Sequence, residues 1–277
     1  MFYLIVVSLL WAFSFGLIKR YLGGVDSAFV TTIRLGLSLI VFLPFLRLRG
    51  VTVRMGLTLA AIGAVQFGVM YLAYIESFRY LHAYEAALFT ITTPIFVTLL
   101  VDLFERTMRP RALIAALLAV VGTGIIVVKS TELKLTLAGL GLIQLSNVAF
   151  AFGQVSYRRL RKQHAALKDR EIFALLYAGG VVVAVAALIG RGVSFKLTPP
   201  QLWTLLYLGV VASGLGFFLW NKGAVQVKGG TLAVMNNLKV PLAVVCALLF
   251  FGESADLPRL IASLLVLGAA VWLAEKN

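Results

Sequence analysis

Ten apolar runs, each close to twenty residues long, follow one another along this chain with short polar separators between them. They lie near 2–18, 27–46, 55–78, 83–101, 111–129, 135–157, 170–190, 201–221, 230–250 and 257–274. About twenty apolar residues are what a helix needs to cross the hydrocarbon core of a bilayer. Inside that core the backbone must satisfy its own N–H and C=O groups, so each run is expected to be a helix. Composition points the same way: 61% of the 277 residues are hydrophobic, 13% are charged, and the mean hydropathy is +0.99. So little charge cannot clothe a water-soluble domain of this length. The expected fold is all-α integral membrane, with ten transmembrane helices in a single domain over 1–277.

The first run has no basic segment before it and no small-residue cleavage site after Leu10, so it reads as a retained helix. Cys246 is the one cysteine and lies in an apolar run, so no disulfide framework is expected. The net charge of +14 is a matter of topology. With ten spans both termini lie on one side. The loops on that side hold fifteen of the 25 Lys and Arg residues, and the opposite loops hold eight. By the positive-inside rule both termini face the cytoplasm. No basic helix or aromatic-laced patch stands outside the runs, so no nucleic-acid partner is expected.

The chain also repeats itself. Ala12-Phe13-Ser14-Phe15-Gly16 returns as Ala149-Phe150-Ala151-Phe152-Gly153, and Arg49-Gly50 as Arg191-Gly192. Pro94, Glu105 and Pro110 are echoed by Pro241, Glu253 and Pro258. The unit is five helices, 1–130 and 135–277. Five is odd, so the second copy enters the membrane from the opposite side, with Glu105 at the cytoplasmic face and Glu253 at the external one. Two inverted repeats are the usual frame of an alternating-access carrier with a site near the midplane. Duplication kept for packing alone, in a channel or a non-transporting scaffold, is the competing reading.

Thr92-Thr93-Pro94 through Glu105, Leu238-Lys239-Val240-Pro241 through Glu253, the opening Leu10-Trp11-Ala12-Phe13-Ser14-Phe15, and glycines Gly122, Gly124 and Gly268 carry a resemblance. They resemble the EamA type of the drug/metabolite transporter superfamily over nearly the whole chain. The resemblance implies two inverted five-helix repeats and efflux of amino acids or related metabolites from a bacterial inner membrane. Within that family the YddG-type exporters of aromatic amino acids look most similar. One residue more separates Pro241 from Glu253 than Pro94 from Glu105, so helix register in the second half departs from the first.

Ionisable groups deep in lipid are costly and ask for a function. Lys239, near the middle of the ninth run, and Asn236 one turn before it suit a cargo carboxylate; a lysine serving only packing is the bland reading. Arg34 is either a second site group or a snorkelling interface residue. His82 and Glu85 at the outer end of the fourth run are candidates for gating or coupling, as against an interfacial polar pair. Glu76 has the same ambiguity. Tyr71, Tyr74 and Phe78 share one face of the third run, and Ser213, Phe217 and Trp220 one face of the eighth. Trp11 and Phe15 share a face of the first; Gln144, Asn147, Ala151 and Gln154 share one of its counterpart. Such walls suit an apolar solute oriented by a few polar groups, although aromatic residues also fill bundle cores. Pro94 and Pro241 are expected to bend their helices as hinges.

No GxxxxGK[ST] phosphate loop, HExxH or GxSxG occurs, and two histidines with one cysteine cannot build the common zinc sites. No enzyme, cofactor or metal is therefore expected. The partners expected are a small-molecule substrate and the bilayer, in a monomer or homodimer. Acidic residues cluster at run ends, which favours facilitated export down a gradient over proton coupling.

Overall fold

The computed structural model describes residues 1–22, 24–81, 86, 89–127, 136–189, 191, 196–250 and 256–276, with helices and no strands among them. The helices are α1 (Phe2–Tyr21), α2 (Ser27–Phe42), α3 (Val53–Gly63), α4 (Met70–Ser77), α5 (Thr93–Glu105) and α6 (Pro110–Val127). They continue with α7 (Leu137–Gln163), α8 (Asp169–Leu188), α9 (Pro199–Leu206), α10 (Gly216–Gln226), α11 (Gly229–Met235), α12 (Lys239–Phe250) and α13 (Leu257–Glu275). A π-helical turn, Ala64–Val69, joins α3 to α4, and another, Tyr207–Leu215, joins α9 to α10.

Seven helical stretches among the described residues are long and apolar enough to cross a membrane: Ser27–Phe45, Val53–Ser77, Leu137–Gln163, Asp169–Leu188, Pro199–Gln226, Gly229–Phe250 and Leu257–Glu275. Phe2–Ile18 and Pro110–Ile125 are shorter apolar helices. Their starts are written locally. Asp26 accepts from the amides of Ala28 and Phe29 at 2.9 and 3.0 Å, Thr52 caps α3, and Asp256 caps α13. Prolines open α5, α6, α9 and α13, where a missing N–H costs nothing.

Packing follows from small residues. Helix α6 runs along α13, with Ala115 and Ala119 fully buried in the seam. Lipid offers no hydrophobic drive between helices, so close backbone approach supplies the attraction. The tightest crossing is α3 on α8. A Cβ on Gly63 would stand 1.8 Å from the Leu176 carbonyl oxygen, and one on Gly179 1.8 Å from that of Ala60. Leu9, Ile40, Leu57, Val182, Leu265 and Trp272 stay exposed on the bundle's outside, as lipid-facing side chains do.

Five expectations are corrected. The run 230–250 is two helices, α11 and α12, separated by a turn at 236–238 closed by i→i−3 bonds such as Leu238 N–H to Met235 O, 3.2 Å. Asn236 and Lys239 therefore do not share one continuous helical face. In the run 83–101, α5 begins only at Thr93, after a turn at 91–92. Pro94 and Pro241 thus sit in the first turn of α5 and α12, where they open a helix instead of bending one. The third and eighth runs hold π-turns, which widen the helix and turn the side chains beyond them.

Finally, α7 runs to Gln163, six residues past the expected end. Its arginines are held there by specific partners: Arg158 by Glu105 at 2.9 Å and by the Val227 carbonyl, Arg161 by Asp169 at 2.8 Å and by the His164 and Leu167 carbonyls.

Candidate functional site

The turns before α5 and α12 meet at the centre of the bundle. Asn237, 1% exposed, donates its amide to the Ile91 carbonyl at 2.9 Å and to Thr123 Oγ1 at 2.9 Å. On the other side of the first turn, Asn147 of α7 donates to the Phe89 carbonyl at 2.8 Å and to Thr92 Oγ1 at 3.1 Å. Gln144 joins the same cluster through Thr92 and Phe89. Carbonyls released by the helix breaks are thereby satisfied, as burial in lipid requires.

A cavity of about 90 Å3 lies beside these turns. Trp11, Arg34, Tyr71, Tyr74, Asn147, Phe217 and Lys239 all line it. Ser14, Ile18, Met70, Thr90, Thr93, Ser146 and Phe150 complete the wall. The Lys239 ammonium stands 5.4 Å from the Trp11 ring centroid and 5.5 Å from that of Phe150, cation–π distances. It has no hydrogen-bond or ion-pair partner among the described residues. As the first residue of α12, Lys239 also stands at the positive end of that helix's dipole.

Arg34 is only 4% exposed, so it does not snorkel. Its guanidinium lies 4.2 Å from the Tyr71 ring centroid and donates to Tyr71 Oη at 2.6 Å and Ser213 Oγ at 3.1 Å. Tyr71 and Ser213 are 2.9 Å apart, and Tyr177 anchors the π-turn through the Ser213 carbonyl at 2.8 Å. The cavity wall therefore carries two cations and no carboxylate among its described residues. Such a wall favours an anionic guest.

On one side the cavity is floored by aromatic rings: Trp11–Trp220 at 4.9 Å, Trp11–Phe217 at 5.1 Å and Phe67–Phe217 at 4.7 Å. Trp11 is fixed by donating to the Ala212 carbonyl at 2.8 Å. Trp220 and Asn236 stand one layer behind the wall, both fully buried and both hydrogen-bonded to Gln154, at 2.9 and 3.2 Å. Ala151 is buried, Phe78 packs edge-on to Tyr74 at 5.1 Å, and Glu76 accepts from Ser27 at 2.8 Å and pairs with Arg79. His82, Glu85 and Glu253 lie outside the described residues, as does the side chain of Phe15. Sequence reasoning missed Asn237, whose signal was the Asn236-Asn237 pair shortly before Pro241, and Phe150, whose signal was the repeat of Phe13.

An amphiphilic cavity buried at the breaks of a helical bundle is the kind of site that membrane carriers of small molecules use. The chain belongs to the EamA-like transporter family, which matches residues 1–128 and again 137–274. It is 41% identical over 277 residues to the biotin transporter of Escherichia coli (strain K12), covering 99% of this chain and 92% of that one. It is 44% identical over 274 residues to the probable biotin transporter of Pseudomonas aeruginosa, covering 98% and 96%. A solved crystal structure at 17% identity shares the fold, with a TM-score of 0.79 over 99% of this chain and 95% of the other. The expectation of a multi-pass membrane transporter that is not an enzyme stands. The relatives' names support transport of a small metabolite, and they do not support export of amino acids.

Proposed function

We propose that this protein carries a small, largely apolar carboxylate of biotin's chemistry across a bacterial inner membrane, by alternating access at the cavity between α1, α7 and α12. The observation that carries this reading is the Lys239 ammonium, which faces an aromatic cavity and has no acidic partner among the described residues. An ammonium at a helix start attracts a carboxylate. Trp11, Phe150 and Phe217 would bury an apolar body, and the Arg34–Tyr71–Ser213 cluster would meet a second polar group such as a ureido carbonyl. At about 90 Å3 the cavity is well below the roughly 300 Å3 at which metabolite pockets begin, so cargo enters by displacing its walls.

The frame of this reading is ten helices in two inverted repeats, 1–130 and 135–277, in a chain whose termini face the cytoplasm. Three observations support it. The family matches twice, π-turns fall at 64–69 and 207–215, and breaks precede both Pro94 and Pro241. The packing is reciprocal as well: α2 lies on the second π-turn and α8 on the first.

Uptake of radiolabelled biotin into proteoliposomes tests the proposal. Saturable uptake that unlabelled biotin suppresses, and that phenylalanine and tryptophan leave unchanged, is the expected result. Suppression by the aromatic amino acids alone would restore amino-acid cargo, and linear, non-competable flux would mean a channel.

A further inference from the structure

Away from the central cavity, a groove of about 710 Å3 runs down the outside of the bundle between α3 and α7, with Phe104 of α5 on its wall. Its mouth is polar and basic: Thr52, Arg54, Arg159, Gln163 and His164. Its depth is apolar, ending at Val65 and Phe152. No lining residue is acidic. The nearby carboxylate, Glu105, is occupied by Arg109 and Arg158. Arg159 lies 5.3 Å from the Phe104 ring centroid, and Phe104 meets Phe152 edge-on at 6.2 Å, so the basic mouth joins the apolar wall.

We infer that this groove is a binding site for an anionic phospholipid, with the phosphate between Arg54 and Arg159 and one acyl chain lying along Ile62, Val65 and Phe152. Two observations carry this. From Thr52 to Val65 is thirteen residues of helix, about 20 Å, which spans a headgroup and most of one leaflet's ~15 Å of hydrocarbon. The polarity also changes along that axis in the same order as it does along a lipid, and the charge at the mouth is complementary to phosphate.

Delipidated protein in detergent, titrated with phosphatidylglycerol or phosphatidylcholine of identical acyl chains and read by native mass spectrometry, tests the assignment. Phosphatidylglycerol is expected to bind more tightly, and Arg54→Gln and Arg159→Gln each to weaken it about fivefold and to weaken phosphatidylcholine, whose choline offsets its phosphate, by less. Ala61→Trp, which fills the groove with both charges intact, is expected to displace both lipids. Equal binding of the two lipids by the unaltered protein, or phosphatidylglycerol binding indifferent to these variants, would overturn it. Monodispersity of each variant serves as the folding control.

Discussion

Asn237 and Ile91 join the two halves of the molecule: the amide of Asn237, in the turn before α12, donates to the Ile91 carbonyl in the turn before α5, 2.9 Å away. The turn before α5 leaves backbone carbonyls without helical partners, and the Asn237 side chain satisfies that of Ile91. Asn237 also donates to the Ala119 carbonyl and to Thr123 Oγ1, so one side chain ties the turn before α12 to both α6 and the turn before α5.

Replacing Asn237 by leucine removes donations to Ile91, Ala119 and Thr123 together. Hydrogen bonds inside membrane proteins are worth about 0.6 kcal/mol on average and rarely exceed ~1.7. Destabilisation of about 1–3 kcal/mol is expected, read as a lowered Tm in detergent, with Asn237→Asp unable to rescue it.

The α3–α8 crossing predicts a sharp contrast between glycines. Gly63→Ala and Gly179→Ala place a methyl 1.8 Å from a backbone oxygen, so the helices must part, and a loss of about 3 kcal/mol or more is expected. Gly36→Ala and Gly141→Ala meet open space and are expected to express and unfold like the unaltered protein. Size-exclusion profiles and thermal scans of the four variants distinguish them.

Glu105 gives a pH signature. Burial raises its carboxyl pKa, but hydrogen bonds from Arg109 and Arg158 outweigh this and hold it below the ordinary 4.5. A depressed folded-state pKa contributes stability that is fully present above 4.5 and is lost as pH falls through the lowered value. Acidification below 4.5 is expected to lower Tm less in Glu105→Gln than in the unaltered protein. Identical acid profiles would show that the ion cluster does not contribute.

Arg34 is expected to act through shape as well as charge. Arg34→Lys keeps the cation but cannot donate to Tyr71 and Ser213 at once. Cargo affinity is expected to fall about tenfold with expression retained, because Tyr71 and Ser213 can still bond to each other at 2.9 Å.

Much of this arrangement was legible in the chain. Hydropathy located the helices, and the spacing of Trp11, Tyr71, Tyr74 and Phe217 put them on the cavity wall, because one face of a regular helix can be read by counting residues. Arg34 could not be decided that way, since burial and snorkelling need the same sequence. The breaks at 91–92 and 236–238 were hidden because hydropathy is blind to a turn made of apolar and amide residues. That is why Asn236 was expected beside Lys239 and is found behind the wall with Trp220. The π-turns were equally silent: they shift the register by geometry alone, and nothing in Ala64–Val69 or Tyr207–Leu215 announces it.

Binding of biotin and of its methyl ester to the purified protein and to Lys239→Ala tests most directly whether Lys239 holds a carboxylate. The unaltered protein is expected to bind the acid at least tenfold more tightly than the ester, and Lys239→Ala to bind both equally weakly with unchanged monodispersity. A preference for the acid that survives in Lys239→Ala would show that Lys239 does not hold the carboxylate.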